Sequence, residues 1–350
     1  MAYAIKKGSD YFNTITWTAD ASNGSRSFTG VNFSPDFVWT KGRTLGWNHL
    51  LYDSVRGVGA EKELSSQNAN AEGAAEAGEY GYISSLDTDG FTFTDGTDAT
   101  YPDGNFNYSP PSAYVAWNWK AGGTAVSNTD GDITTLVSAN PTAGFSIVTF
   151  TGTDTITDTI GHGLGTAPEM IILRGRSIGS GWFTYHKAMG NGKFMYLDTT
   201  QAETTSSGVW NNTSPTSTVF VTGAKNAGVT AVAYCFASVE GYSKFGSYTG
   251  NGSADGPFVY TGFRPAYLMV KRTNSTGSWF IQDTTRNPNN VSGDFLLTDT
   301  SGAEAAGSGT WDNLSNGFKL RTTSAAVNAS GGAYIYMAFA ETPFKYANAR

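Results

Sequence analysis

The chain has almost no sulfur chemistry to offer. Cys235 is the single cysteine among 350 residues, so no disulfide closes within the chain and no cysteine-based zinc site forms. It lies in the apolar run AVAYCFAS, where a small buried hydrophobe is the simplest reading. Charge is scarce too. Charged residues make up 15% of the chain, well below the usual share. No basic run exceeds two residues, which removes the electrostatic footprint of a nucleic-acid partner. The balance of 22 basic against 29 acidic side chains gives −7, which helps solubility and specifies no partner. No apolar stretch approaches the roughly twenty residues of a membrane-spanning helix. The opening MAYAIKKGSDYF lacks the apolar segment of a secretory signal. A chain soluble when made, with no membrane insertion, is the expectation.

What the chain has is glycine, 43 residues of it, and aromatics at 14%. Turns rich in Gly and Asn between strands rich in Thr and aromatics point to an all-β protein. Long helical periodicity is missing. AEGAAEAGEYG (71–81) contains good helix formers, but its counterparts ETTSSGVWNN and AEAAGSGTWDN read as loops, so a loop is expected there.

Those counterparts exist because the chain repeats itself. FSPDFVWTKGRTLGW, TAPEMIILRGRSIGSGW and GFRPAYLMVKRTNSTGSW each carry a proline, an apolar run ending in a basic residue, a polar turn and a tryptophan. Each repeat closes with an alternating strand: AYVAWNWKA, TAVAYCFAS and AYIYMAFAE. Val115, Trp117 and Trp119 align with Val232, Tyr234 and Phe236, and with Ile335, Met337 and Phe339. Recurrence at every second position puts each set on one face of a strand. The opposite faces carry small residues such as Ala116, Ala233, Cys235 and Ala338, which suggests close packing. The basic residues Lys41, Arg174 and Lys271 are expected where their strands reach water. Strand and turn spacing fits three related β-sandwich repeats in tandem, jelly-roll-like. The units span 13–121, 145–243 and 244–350. Residues 1–12 read as a leader with Tyr11 and Phe12 as attachment anchors, and 122–144 as a linker or strap. DGTDATYPDGNFNYSPPS (95–112) reads as an exposed insertion.

Few motifs carry chemistry. GRSIG (175–179) fits a nucleophile elbow, which needs a strand before it and a helix after it; here another strand follows, so Ser177 is assigned to a hairpin tip. GHGLG and GNGK lack the spacing and the following helix of phosphate loops. His49, His162 and His186 are too few for a zinc site, with His49 and His186 in roughly equivalent places. Asp87, Asp89, Asp95, Asp98, Asp103, Asp130 and Asp132 form oxygen-rich loops without the EF-hand spacing, and turn formation explains them. Neither a metal nor a cofactor is assigned, and no catalytic residue. Trp47, Trp182 and Trp279, which recur after the hairpin turn, are the ligand-binding candidates, as stacking platforms for a sugar; the competing reading is that they anchor the hairpin to the core.

The phrases GFRPAYLMVKR, DSVRG, AYVAWNWKAG, SIVTFTGT, GHGLGTAPEMIIL, VEGYSKFGSYTGNGSADGPFVYTGF and AFAETPFKYANAR resemble a domain family widespread in tailed bacteriophages, especially marine ones. Its members are described as phage structural or tail-fibre-like proteins without assigned chemistry. The resemblance runs from about residue 10 to the end and brings no catalytic residues. It implies a non-enzymatic virion component, made in host bacterial cytoplasm, where disulfides do not persist. The first expectation is a short tail fibre or receptor-binding component at the virion surface, with host surface glycan as candidate receptor. Capsid decoration or a head fibre bound to the major capsid protein comes second, and a polysaccharide depolymerase third. Partners are then other virion proteins, a tail adaptor or the capsid. Fibre proteins are commonly trimers, so a homotrimer is expected; the competing arrangement is one chain forming a pseudo-threefold body from its three units.

Overall fold

The alternating closing strands determine the architecture. In a computed structural model that describes residues 5–20, 22–74, 76–224, 227–307 and 309–341, the named strands pair antiparallel and helix is confined to single turns. The first unit holds β1 (Phe12–Thr18), β2 (Ser25–Thr29), β3 (Phe37–Gly42), β4 (Leu50–Asp53), β5 (Tyr82–Asp87), β6 (Gly90–Thr94) and β7 (Ala113–Trp119). After β8 (Val126–Asn128) and β9 (Thr135–Asn140), the second unit holds β10 (Phe145–Thr151), β11 (Thr159–Gly161), β12 (Met170–Gly175), β13 (Phe183–His186), β14 (Lys193–Tyr196), β15 (Thr204–Thr205), β16 (Val219–Val221) and β17 (Thr230–Phe236). The third holds β18 (Ser243–Thr249), β19 (Phe258–Tyr260), β20 (Pro265–Arg272), β21 (Phe280–Asp283), β22 (Leu296–Leu297), β23 (Trp311–Leu314), β24 (Gly317–Leu320) and β25 (Ala333–Ala340).

One strand order recurs. The large sheets run β1-β7-β3-β4, β10-β17-β12-β13 and β18-β25-β20-β21, each with the closing strand second. Each unit also has a small sheet: β2-β6-β5, β11-β16 and β19-β24-β23. The closing strand is buried on both faces, and its two faces have different neighbours. Ala116, with Val38, Tyr52, Phe91 and Phe93, fills the space between the sheets of the first unit. Ala233 and Cys235 do so in the second unit, and Tyr336 and Ala338 in the third. The opposite faces meet in one core shared by all three units. Register sorts that core into levels: Val115, Val232 and Ile335; then Trp117, Tyr234 and Met337; then Trp119, Phe236 and Phe339. Ring contacts cross every boundary: Phe37 to Tyr234 at 4.3 Å, Trp119 to Tyr267 at 5.8 Å and Phe236 to Phe339 at 6.3 Å. Removing one such aromatic costs about 3–5 kcal/mol. The three units are therefore one pseudo-threefold body rather than beads on a string.

Four sequence readings need correction. Residues 122–144 are more than a linker, because β9 pairs with β10 and β8 with β9, extending the second unit's large sheet. The apolar side chains of the described leader are largely taken up by the chain's own core, while Lys6 and Lys7 are exposed. Ile5 and Phe12 are buried in the shared core, with the Phe12 ring stacked on Phe339, and Tyr11 packs against Tyr242; residues 1–4 lie outside the described residues. Ala77–Tyr80 forms a single helical turn where a loop was expected. Lys41, Arg174 and Lys271 do not reach water: all three are fully buried, because each lies opposite Val115, Val232 or Ile335 on the face that points inward.

Candidate functional site

The seams between units hold most of the molecule's buried charge. Each unit's loop after its fourth large-sheet strand lies on the next unit, and the third unit's loop closes the ring on the first. The backbone N–H of Glu72 donates to the carbonyl of Arg176, that of Glu203 to Thr273 and that of Glu304 to Arg43. At the first seam the Arg56 guanidinium pairs with Asp53, both side chains at 0% exposure, and with Glu72 at 2.8 Å. Glu72 takes Arg176 of the second unit at 2.7 Å, and Tyr234 donates its hydroxyl to Asp53 at 2.8 Å. The seam between the third and first units repeats this. Arg286 pairs with Asp283 and with Glu304, the latter at 2.5 Å; Glu304 takes Arg43 at 2.7 Å, and the Trp117 indole donates to Asp283 at 2.9 Å. Burial works against both guanidinium charges, but the surrounding acids outweigh it and hold both pKa values above the ordinary arginine range.

The seam between the second and third units has the same backbone and different chemistry. His186 stands where Asp53 and Asp283 stand, Met189 where the arginines stand, Met337 where Tyr234 and Trp117 stand, and Thr273 where Arg176 and Arg43 stand. The His186 ring places Nε2 3.3 Å from the carbonyl oxygen of Tyr336 and accepts from the Ala188 N–H at Nδ1. A neutral ring satisfies both contacts, and burial pulls its pKa down to about 4.

Two of the three tryptophan candidates are seam fittings. Trp182 and Trp279 are buried at 0% and 1% exposure. Their indoles donate to backbone carbonyls of the preceding unit, Trp182 to Ser65 and Trp279 to Tyr196. Neither ring is available to a sugar, and the hairpin-anchor reading holds for both. The residue equivalent to them is His49, not Trp47: His49 precedes Leu50 as Trp182 precedes Phe183 and Trp279 precedes Phe280, and it meets the Leu297 carbonyl at 2.8 Å. His49 and His186 thus occupy different places in their units. Trp47 is half-buried among Tyr80, Tyr101 and Tyr108. It lies against Gly104, where a Cβ would come within 2.5 Å of the ring, so it pins the insertion to the first unit.

The remaining candidates are structural. Ser177 sits at a hairpin bend, and its hydroxyl accepts from the Thr230 N–H. His162 bridges Thr216 and Leu164 within the second unit. Asp89, Asp95, Asp98 and Asp132 accept backbone N–H groups in turns. No group of three His, Cys, Asp or Glu side chains positioned for a metal ion occurs among the described residues. Burial raises the Cys235 thiol pKa far above its ordinary value, which leaves it inert. Two shallow clefts open at the surface: one of 350 Å³ at Asp36, Lys120 and Asn140, the other of 210 Å³ at Leu136, Thr149 and Arg176.

One outward surface escaped sequence reasoning. On β19, Phe258 and Tyr260 are 45% and 59% exposed, with the Lys244 ammonium 5.1 Å from the Tyr260 ring. Lys319 lies directly across the strands from Phe258 and pairs with Asp255 at 2.8 Å. The available signal was the alternation in PFVYTG, apolar at Val259 and aromatic on both sides of it.

The family described as "Domain of unknown function (DUF7483)" matches residues 7–343. No curated protein and no solved structure matches the chain.

Proposed function

We propose that this chain, which belongs to the family of the Domain of unknown function (DUF7483), is a non-enzymatic structural protein of a bacteriophage virion, working as a short tail fibre or receptor-binding component at the virion surface. The observation that carries the reading is the closed ring of three units around one core. In this reading the units are tandem jelly-roll-like repeats whose inner faces have fused. Such a body is a rigid scaffold that presents hairpin tips and small-sheet faces outward, the arrangement on which loops bind. Its three units place around one axis what a trimeric fibre tip places with three subunits. The chain thus matches a threefold mount as a monomer, and light scattering on the purified protein separates that state from a homotrimer. Shallow clefts and inert buried nucleophiles fit binding better than catalysis.

The test is localisation on intact virions by gold-labelled antibody or cryo-electron microscopy. Label at the tail or baseplate supports the receptor-binding reading. Label spread over the head replaces it with capsid decoration, and virions without label overturn both.

A further inference from the structure

The outside of the third unit departs from its sisters at four neighbouring positions. By strand register, Phe258 and Tyr260 correspond to Ser27 and Thr29 in the first unit and to Thr159 and Gly161 in the second. Lys319 corresponds to Thr92 and Val221. Lys244 corresponds to Asn13 and Ser146. The same fold is built twice without an aromatic ring or a charge at any of these places, so folding does not require them.

We propose that Phe258, Tyr260, Lys244 and Lys319 form a binding site for an acidic saccharide, a chain of pyranose rings bearing carboxylates. Phe258 and Tyr260 alternate on one strand, about 7 Å apart, which lets the two rings meet successive sugar residues. Gly317, opposite Tyr260, keeps the sheet low: a Cβ there would come within 2.9 Å of the Phe258 ring, so that ring lies across the strand. The electron-rich face of an aromatic ring attracts the C–H face of a pyranose. The ammonium groups supply the charge complement. Lys244 forms no ion pair among the described residues, its Nζ donating only to the Tyr260 carbonyl at 3.1 Å. The partner of Lys319, Asp255, has a side chain 83% exposed, so that pair is weak and exchangeable. On a chain of net charge −7, a two-lysine aromatic face favours an anionic ligand. A protein partner needs roughly 800 Å² on each side, more than two rings on a three-residue strand present.

This assignment rests on the receptor-binding reading and names the receptor's chemistry. The test is a glycan array of uronate-containing and matched neutral oligosaccharides, probed with the full chain and with variants carrying sister-unit residues. Phe258→Ser with Tyr260→Thr is expected to weaken binding to acidic glycans by about tenfold or more. Lys244→Asn is expected to weaken acidic glycans severalfold and leave neutral ones unchanged. Phe258, Tyr260 and Lys319 lie on the outer face of the small sheet and Lys244 is half-exposed at the edge strand beside it, so urea midpoints should match the parent; a variant whose midpoint falls is replaced by Phe258→Leu with Tyr260→Leu, which keeps apolar bulk and removes the rings. The proposal is overturned if the parent binds no acidic glycan, if the ring-removing variant binds as the parent does, or if neutral and acidic glycans bind alike. A chain found at the tail that binds no acidic glycan loses this assignment and keeps its place on the virion.

Discussion

Two seams of this ring bury an Asp–Arg ion pair and the third does not, although one backbone plan builds all three. Asp53 with Arg56 and Asp283 with Arg286 are wholly buried pairs, each receiving a hydrogen bond from a core aromatic of the neighbouring unit. His186 and Met189 take those places at the third seam, where the neighbouring core residue is Met337. Burying an ion pair contributes little net stability, because desolvation offsets the attraction. Each buried carboxylate also calls for a donor on the neighbouring core residue: Tyr234 and Trp117 supply one, and Met337 has none. The difference sets the seam between the second and third units apart from the other two, whose fittings are alike.

The largest effect should come from breaking an ionic seam on one side. Arg56→Met leaves the Asp53 carboxylate buried without its partner, a loss of about 3–5 kcal/mol, and Arg286→Met should match it. Met189→Leu at the third seam keeps volume and should cost less than about 1.5 kcal/mol. Urea unfolding of the three variants checks the order. Asp53→His together with Arg56→Met gives the first seam two of the four residues that mark the third, and removes the carboxylate along with its partner; it should recover more than half of the single-variant loss. Additive losses would show that the seams do not work as matched sets.

Acid should act next, and at the third seam it acts through His186. The buried His186 ring has its pKa lowered to about 4 from 6.5. The unfolded chain binds this proton first, so His186 leaves stability intact above pH 6.5 and lowers it as pH falls toward 4. The gap corresponds to about 3 kcal/mol. Between pH 7 and pH 4 the parent should lose that much more stability than His186→Gln. Equal acid sensitivity in the two proteins would mean that the ring is hydrated.

Much of this was legible. The repeats and the alternation of the closing strands separated the large residues from the small ones, and that separation is the division between shared core and sandwich interior. The inward course of Lys41, Arg174 and Lys271 was not legible, because a cation ending an apolar run ordinarily marks water. In this fold backbone carbonyls receive the charge: Arg174 donates to Asn68 and Asn70 and Lys271 to Thr199, all in the preceding unit's loop, while Lys41 donates to Gly42 on its own strand. The seam pairs were written in the sequence as DSVR at 53–56 and DTTR at 283–286, with HKAM at the equivalent 186–189; counting along the aligned repeats finds them. Aligning by residue type instead matched Trp47 with Trp182 and Trp279, whereas counting from the buried cation leads to His49. Phe258 and Tyr260 stand out only once register supplies their sister positions.

A smaller test concerns the core residues that reach the acids. Tyr234→Phe removes a hydroxyl donated to Asp53, and Trp117→Phe removes the indole donor to Asp283. Each leaves a buried acceptor short of a partner, a cost of about 1–3 kcal/mol. Met337→Leu, with no hydrogen bond to lose, should cost the least of the three in thermal unfolding.

The smallest effect lies at the buried cations, one at each seam, where the local acid is present twice and missing once. Asp198 and Asp299 accept the backbone N–H groups of Trp182 and Trp279, beside the buried Arg174 and Lys271. The equivalent acceptor for His49 is Gln67, which is neutral. Lys41 therefore lacks that local acid. Burial lowers its pKa to about 7, against the opposing pull of Glu304 and with Arg286 adding to the depression. The Lys271 pKa falls only to about 8, through burial opposed by Asp299. Between pH 7 and pH 10.5 the folded chain binds fewer protons at Lys41 than the unfolded chain, so stability rises with pH across that window. Gln67→Glu supplies the missing carboxylate and keeps the acceptor for the His49 N–H, while giving up the amide donated to Asn48. It should stabilise the protein by about 1 kcal/mol at pH 7 and flatten the rise toward pH 10, because a better-paired Lys41 holds its proton. Urea midpoints at the two pH values decide it: a variant that gains nothing at pH 7 and keeps the parent's slope would place Lys41 out of reach of position 67.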